Sequence, residues 1–166
     1  MDSLLWIVVA AVVILAIAAV LLPRGRSSGK SASLPFEKQT YLLSRVERSF
    51  YEVLQRAVAP DMVVFPKVRL ADVVKVRKGT EGWQSHYNRI SAKHIDFLLC
   101  SCDTLSPALV VELDDSSHGR PDRQSRDAFV DSALDAAGLP VLHIPARAGY
   151  DPAEIAAKVQ SSLLTR

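Results

Sequence analysis

The 166-residue chain predicts an α/β fold, with a mixed β-sheet flanked by helices. Three observations predict it. Apolar residues recur at helical spacing over 45–58 and 122–137. Four short runs rich in Val, Leu, Ile and Phe, at 62–70, 94–100, 108–114 and 140–144, read as strands. A helix also stands between the third and fourth runs, so the crossover returns the last strand parallel to the third.

The elements follow in order. Residues 4–22 form an apolar run of 19 residues without a charge. As a helix it spans about 28 Å, close to the ~30 Å hydrocarbon core, so a membrane-spanning helix is expected over 1–22. A cleaved signal peptide is the rival, but Met1-Asp2-Ser3 carries no Lys or Arg. A buried core helix fits less well, since the run has no polar face. Arg24, Arg26 and Lys30 follow the run, and the positive-inside tendency then predicts a single-pass protein of the inner or plasma membrane, with its carboxy-terminal domain cytoplasmic. Residues 23–35, PRGRSSGKSASLP, read as a flexible linker, and 36–166 as the α/β domain.

Within that domain Ser44-Arg45-Val46-Glu47 fits a capping box that opens a helix over 45–58. Val46, Phe50, Val53, Leu54 and Ala57 form its apolar face, and Pro60-Asp61 ends it. In the run 62–70, Pro66 suggests an edge strand or a bulge. Residues 71–76 fit a short helix or a strand equally. A polar excursion, 79–93, carries Trp83, His86, Tyr87, Asn88, Arg89 and Lys93. The short connection between 94–100 and 108–114 predicts an antiparallel hairpin. Gly138 stops the helix over 122–137. A strand over 140–144 and a closing helix over 152–164 complete the domain, and no internal repeat is visible.

The net charge of +2 is too mild to argue nucleic-acid binding by itself. The local pattern says more: Arg69, Lys75, Arg77, Lys78, Arg89 and Lys93 make the middle segment basic, either a solvated face or a phosphate-binding one. The two cysteines, Cys100 and Cys102, stand at i and i+2. They bridge poorly at that spacing, lack a second pair at zinc spacing, and read as small residues packed in or beside the sheet.

The chemistry-bearing segment is Leu109-Val110-Val111-Glu112-Leu113-Asp114-Asp115-Ser116-Ser117-His118. Alternation along a strand sends Glu112 and Asp114 to one face, with His118 close behind. If the hairpin pairs as expected, Asp96 lies beside Glu112. Two bare carboxylates about 4 Å apart repel by roughly 4 kcal/mol at an effective dielectric near 20, so such a pair shares a proton, pairs with a cation or holds a metal ion. Hard oxygen ligands favour Mg²⁺ or Mn²⁺ over zinc. The plainer reading makes these acids a strand-end cap paired with Arg120, Arg123 and Arg126. His118 is either a proton carrier or a loop histidine bonded to the acids. His94 reads as structural, and no constellation surrounds His86 or His143. Trp83 and Tyr87 fit base stacking or packing on the sheet.

The helix–three strands–helix–strand order looks like the core of the PD-(D/E)xK restriction-endonuclease-like superfamily (αβββαβ). The text KHIDFLLC, followed by LVVELDDSSHGRPDRQSRDAFVDSALDAAGLPVLHIP, closely resembles the family called domain of unknown function 2726. That family is similar in turn to the very-short-patch repair endonucleases. The resemblance covers about residues 42–146. It implies a restriction-endonuclease-like mixed sheet and a divalent-metal nuclease. It makes Asp96 the metal-binding aspartate of the second strand and Glu112 the acid of the third. Asp114 stands where the superfamily motif has lysine, a departure shared by the repair-endonuclease-like branch, whose downstream histidine His118 resembles. Glu47 resembles an acid that some members use as a ligand through water. Arg126 and Asp127 match a basic–acidic pair on the next helix.

The expected site is therefore Asp96, Glu112, Asp114 and His118 as catalytic residues. Asp96, Glu112 and Asp114 hold Mg²⁺ or Mn²⁺, and Lys93, Arg120 and Arg126 meet a nucleic-acid phosphate. Two functions follow as alternatives. One is a membrane-anchored, metal-dependent nuclease hydrolysing phosphodiester bonds. The other is a catalytically inactive binding or scaffolding module of the same fold at the cytoplasmic membrane face, which the missing lysine favours. A membrane-surface regulator, its basic segment on anionic lipid, is a third.

Overall fold

The computed structural model describes residues 2–21, 34–114 and 121–164. The chain divides into two compact units, Met1–Gln39 and Thr40–Arg166.

In the first unit, α1 (Asp2–Leu21) is a helix whose described side chains, among them Trp6, Ile7, Ile14 and Leu15, are exposed. Among the described residues, no helix is long and apolar enough to cross a membrane. This overturns the membrane-spanning helix expected over 1–22, and with it the single-pass membrane localisation. The linker expected over 23–35 lies largely outside the described residues.

The second unit has the predicted mixed architecture. Its elements are α2 (Arg45–Val58), β1 (Met62–Arg69), α3 (Leu70–Val73), α4 (Trp83–Ser91), β2 (His94–Ser101), β3 (Pro107–Asp114), α5 (Pro121–Ala136), β4 (Val141–Pro145) and α6 (Pro152–Leu164). The four strands lie in chain order. β1–β2 and β2–β3 are antiparallel and β3–β4 is parallel, as the hairpin and the helical crossover require. The capping box forms: Ser44 Oγ accepts from the Glu47 N–H, and Glu47 accepts from the Ser44 N–H at 2.7 Å. Residues 71–76, left open above, are resolved as the short α3 followed by coil, and the polar excursion contains α4. Gly138 ends α5 at φ 71°, in the left-handed region where glycine carries no Cβ penalty.

Two apolar layers sandwich the sheet. One packs Phe50, Leu54, Ile155 and Val159 of α2 and α6 against Val64, Phe97, Leu99, Leu109, Val111 and Ile144. The other packs Leu70, Ile90 and Leu134 of α3, α4 and α5 against Ile95, Leu98, Cys100 and Val110. Regular alternation keeps i and i+2 on one side, yet Val64 and Val68 enter opposite layers, and so do Phe97 and Ile95. The two strands exchange faces together, between the paired positions Pro66↔Phe97 and Val68↔Ile95. Lys67 and Asp96 sit at the exchange. Lys67 has φ 55°, a conformation costing roughly 1–2 kcal/mol for a residue with a Cβ.

Phe50 is fully buried, 5.5 Å from the Phe97 ring and 4.7 Å from Tyr150. Phe50→Ala is expected to cost about 3–5 kcal/mol in urea unfolding, whereas Phe36→Ala, 80 % exposed, should stay within about 0.5 kcal/mol.

Candidate active site

The β2–β3 ladder runs through Phe97↔Val111 and there gives way to side chains. Asp96 Oδ2 accepts from the Leu113 N–H at 3.1 Å. A Glu112 carboxyl oxygen lies 3.4 Å from the Asp96 backbone nitrogen and accepts its N–H. Two carboxyl groups thus stand in the place of main-chain partners. This juxtaposition of Asp96 and Glu112 is the one expected from the hairpin.

Lys67 completes the corner. The face exchange in β1 aims its ammonium between two acids: Nζ donates to Asp96 Oδ1 at 2.8 Å and to Glu47 Oε1 at 2.5 Å. Glu47 therefore does two jobs, capping α2 with one oxygen and binding Lys67 with the other. Burial acts to lower the Lys67 pKa, but hydrogen bonds and attraction from Asp96 and Glu47 outweigh it and raise the value. Burial acts to raise Glu47, and the bonds to Lys67 and Ser44 outweigh it in the other direction. Glu112 has no such compensation. Burial first, then repulsion from Asp96 and the hydrogen bond between the two carboxyls, push its pKa up to about 8, with Lys67 only partly offsetting them. At neutral pH this favours the neutral form of Glu112 beside the Lys67 ammonium.

Asp114 turns elsewhere. Its Oδ1 meets His143 Nδ1 of β4 at 3.0 Å, and His143 Nε2 lies 3.3 Å from Asp131 Oδ1 of α5. Burial acts to lower the His143 pKa, but the two aspartates outweigh it and raise the value. Among the described residues, no group of three or more His, Cys, Asp or Glu side chains converges to hold a metal ion. The structure brings together Asp96 and Glu112 from the expected set, adds Glu47 and Lys67, and commits Asp114 to His143.

The family described as "Protein of unknown function (DUF2726)" matches residues 39–163, nearly the whole second unit. The chain belongs to this family. No curated protein and no solved structure matches it. Membership leaves the chemistry to be argued from the residues.

His118 and Arg120 lie outside the described residues, as does the side chain of Arg126. Lys93, between α4 and β2, is tied through its backbone to the start of α3: its carbonyl accepts from the Leu70 N–H at 2.8 Å. Among the described residues it makes no ion pair with the acids. Cys100 is buried in the second layer and Cys102 exposed, both as free thiols. Trp83 and Tyr87 stack on one another, centroids 5.1 Å apart. Sequence reasoning missed Lys67 as part of the site and the histidine bridge. The available signals were a lysine after Pro66 in an apolar strand and a histidine inside VLHIP, each costly to half-bury without a partner.

Because Glu112 binds its proton more tightly folded than unfolded, stability present at acid pH is lost as pH rises from about 4.5, the ordinary value, through 8. Glu112→Gln is therefore expected to be more stable than the parent in urea melts at pH 9, with the advantage vanishing toward pH 4. A constant difference across that range is the contrary result.

Proposed function

We propose that this domain is a divalent-metal-dependent nuclease of PD-(D/E)xK type, hydrolysing phosphodiester bonds of nucleic acid at the Asp96–Glu112 corner. The observation that carries the reading is a pair of carboxyl groups from adjacent strands brought together beside a lysine.

The donor set suits Mg²⁺ or Mn²⁺. These hard ions are commonly held by one or two carboxylates with water completing the shell, which two facing acids satisfy without a third protein ligand. Bound there, the ion would polarise a phosphoryl oxygen and ease deprotonation of water. The chain's own residues do the rest. Asp96 is fixed by the Leu113 N–H and by Lys67, so its orientation is set before any ligand arrives. Glu112 must release its proton to serve as a ligand, which couples binding to pH. The superfamily lysine, missing at Asp114, has a physical equivalent here: the Lys67 ammonium reaches the Asp96 carboxylate from β1, where it is placed to hold an attacking water or a phosphate oxygen. The strained Lys67 backbone supports this, since such strain persists where surrounding contacts hold a functional residue in place. Asp114 orients His143 rather than an ion in this reading. His118 is the candidate proton carrier, and Arg120 and Arg126 the candidate phosphate contacts.

A specific observation favours the second reading, an inactive binding module. Lys67 already neutralises Asp96 and Glu47, both Asp96 oxygens are engaged, and among the described residues no buried side-chain polar atom lacks a partner. The corner is thus satisfied without any ion.

Calorimetric titration of Mn²⁺ into the full chain separates the two. The nuclease reading expects binding that tightens from pH 6 to about 8 and releases about one proton at pH 7, with the release absent in Glu112→Gln and binding lost in Asp96→Ala. Cleavage of single- or double-stranded DNA or RNA should vanish in both variants and in His118→Ala. In Lys67→Met it should fall about 10²–10³-fold while metal affinity is kept. A folded protein that takes up no Mn²⁺ at pH 8.5 supports the module instead.

A further inference from the structure

A groove of about 1170 Å³ opens on the other side of the second apolar layer from the sheet, lined by α3, the coil after it, α4 and α5. Its volume exceeds the roughly 300–1,000 Å³ of small-molecule sites. Lys75, Arg77, His86 and Arg89 line it. Among the described residues the one acid lining it, Asp72, is taken by Arg69 in a two-point ion pair. Among the described residues, Lys75, Arg77 and Arg89 form no ion pair. Arg89 instead lies flat over the Phe129 ring, 3.9 Å from its centroid, which fixes the guanidinium without neutralising it. One turn before His86 on α4, Trp83 stacks on Tyr87 with the rings 7° from parallel. Tyr87 is packed against the second layer, so it backs the indole, which remains 42 % exposed.

We infer that this groove binds a single-stranded stretch of nucleic acid, its phosphates tracked by Lys75, Arg77 and Arg89 and one unpaired base stacked on Trp83. Among the described residues these cations have no partner acids, and they supply the charge complementarity. A backed aromatic face on the same helix as Arg89 selects for a base that is free to stack, which a duplex does not offer without opening. The groove adjoins the proposed site in the chain: α3 begins as β1 ends, just beyond Lys67, and α4 leads into the strand carrying Asp96. The inference rests on the proposed function for its class of substrate and adds the form, the single strand.

The test is fluorescence anisotropy of a labelled 20-nucleotide oligothymidylate with the full chain in EDTA, so that neither metal binding nor cleavage enters. Binding is expected to weaken with salt, and the slope of log K against log[salt] should lose about 0.7 for each of Lys75→Gln, Arg77→Gln and Arg89→Gln. Trp83→Ala should weaken binding about 5- to 150-fold, the range for a stacked base, and Trp83→Phe should restore most of it. Circular dichroism melts confirm that each variant is folded, and Arg77→Gln, on an exposed side chain in coil, carries the charge test if Arg89→Gln unfolds. Because neither metal nor cleavage enters the assay, loss of the nuclease reading leaves this result standing. The inference is overturned if the charge variants bind as the parent does, if duplex of equal length binds more tightly than single strand, or if vesicles of anionic lipid bind in preference to the oligonucleotide with the same losses.

Discussion

The Lys67 ammonium, held between Glu47 and Asp96, is the interaction on which the rest of this corner depends. It joins the first turn of α2 to two strands whose faces change sides at that point. Without it, three carboxyl groups from three elements would share one partly buried space. At an effective dielectric near 20, each pair of bare charges about 4 Å apart would cost roughly 4 kcal/mol. One cation among three acids leaves a deficit, and Glu112, the most buried of them, absorbs it by keeping its proton.

A second bridge stands at the far end of β3. His143 joins Asp114 and Asp131 with its two ring nitrogens, linking β3, β4 and α5. The two bridges differ in kind. Lys67 stays charged over the whole physiological range, whereas the imidazole loses its charge, and part of its hold, once pH rises through its raised pKa. Glu112 lies between them on β3 and, unlike Asp96 and Glu47, forms no ion pair with Lys67 among the described residues.

The elements that depend on local pattern were legible in the sequence. The capping box and apolar spacing fixed α2, the short connection fixed the hairpin, and the helical crossover fixed the parallel β3–β4 pair. The Asp96–Glu112 meeting followed from hairpin register. Lys67 was not legible, because its reach to Glu47 and Asp96 follows from a left-handed residue that reverses the strand's alternation. Nothing in MVVFPKVR beyond Pro66 signals that reversal. His143 was passed over for a related reason: its partners lie on β3 and α5, distant in sequence and brought together only by the crossover. The apolar run at the amino terminus shows the opposite error. Its uniform composition suggested a full membrane span, while among the described residues no helix is long and apolar enough to cross a membrane.

The paired face exchange of β1 and β2 has a consequence for how this family tolerates length change. An ordinary strand can lose or gain two residues and keep its inward set. Here the inward set is written in two phases that meet at Lys67, and β2 carries the matching break at Asp96. A single insertion or deletion on either strand would throw the halves out of step with each other and leave one layer short of a Val or Phe. Chimeras between relatives should therefore be joined outside β1 and β2, with both strands moved as one cassette.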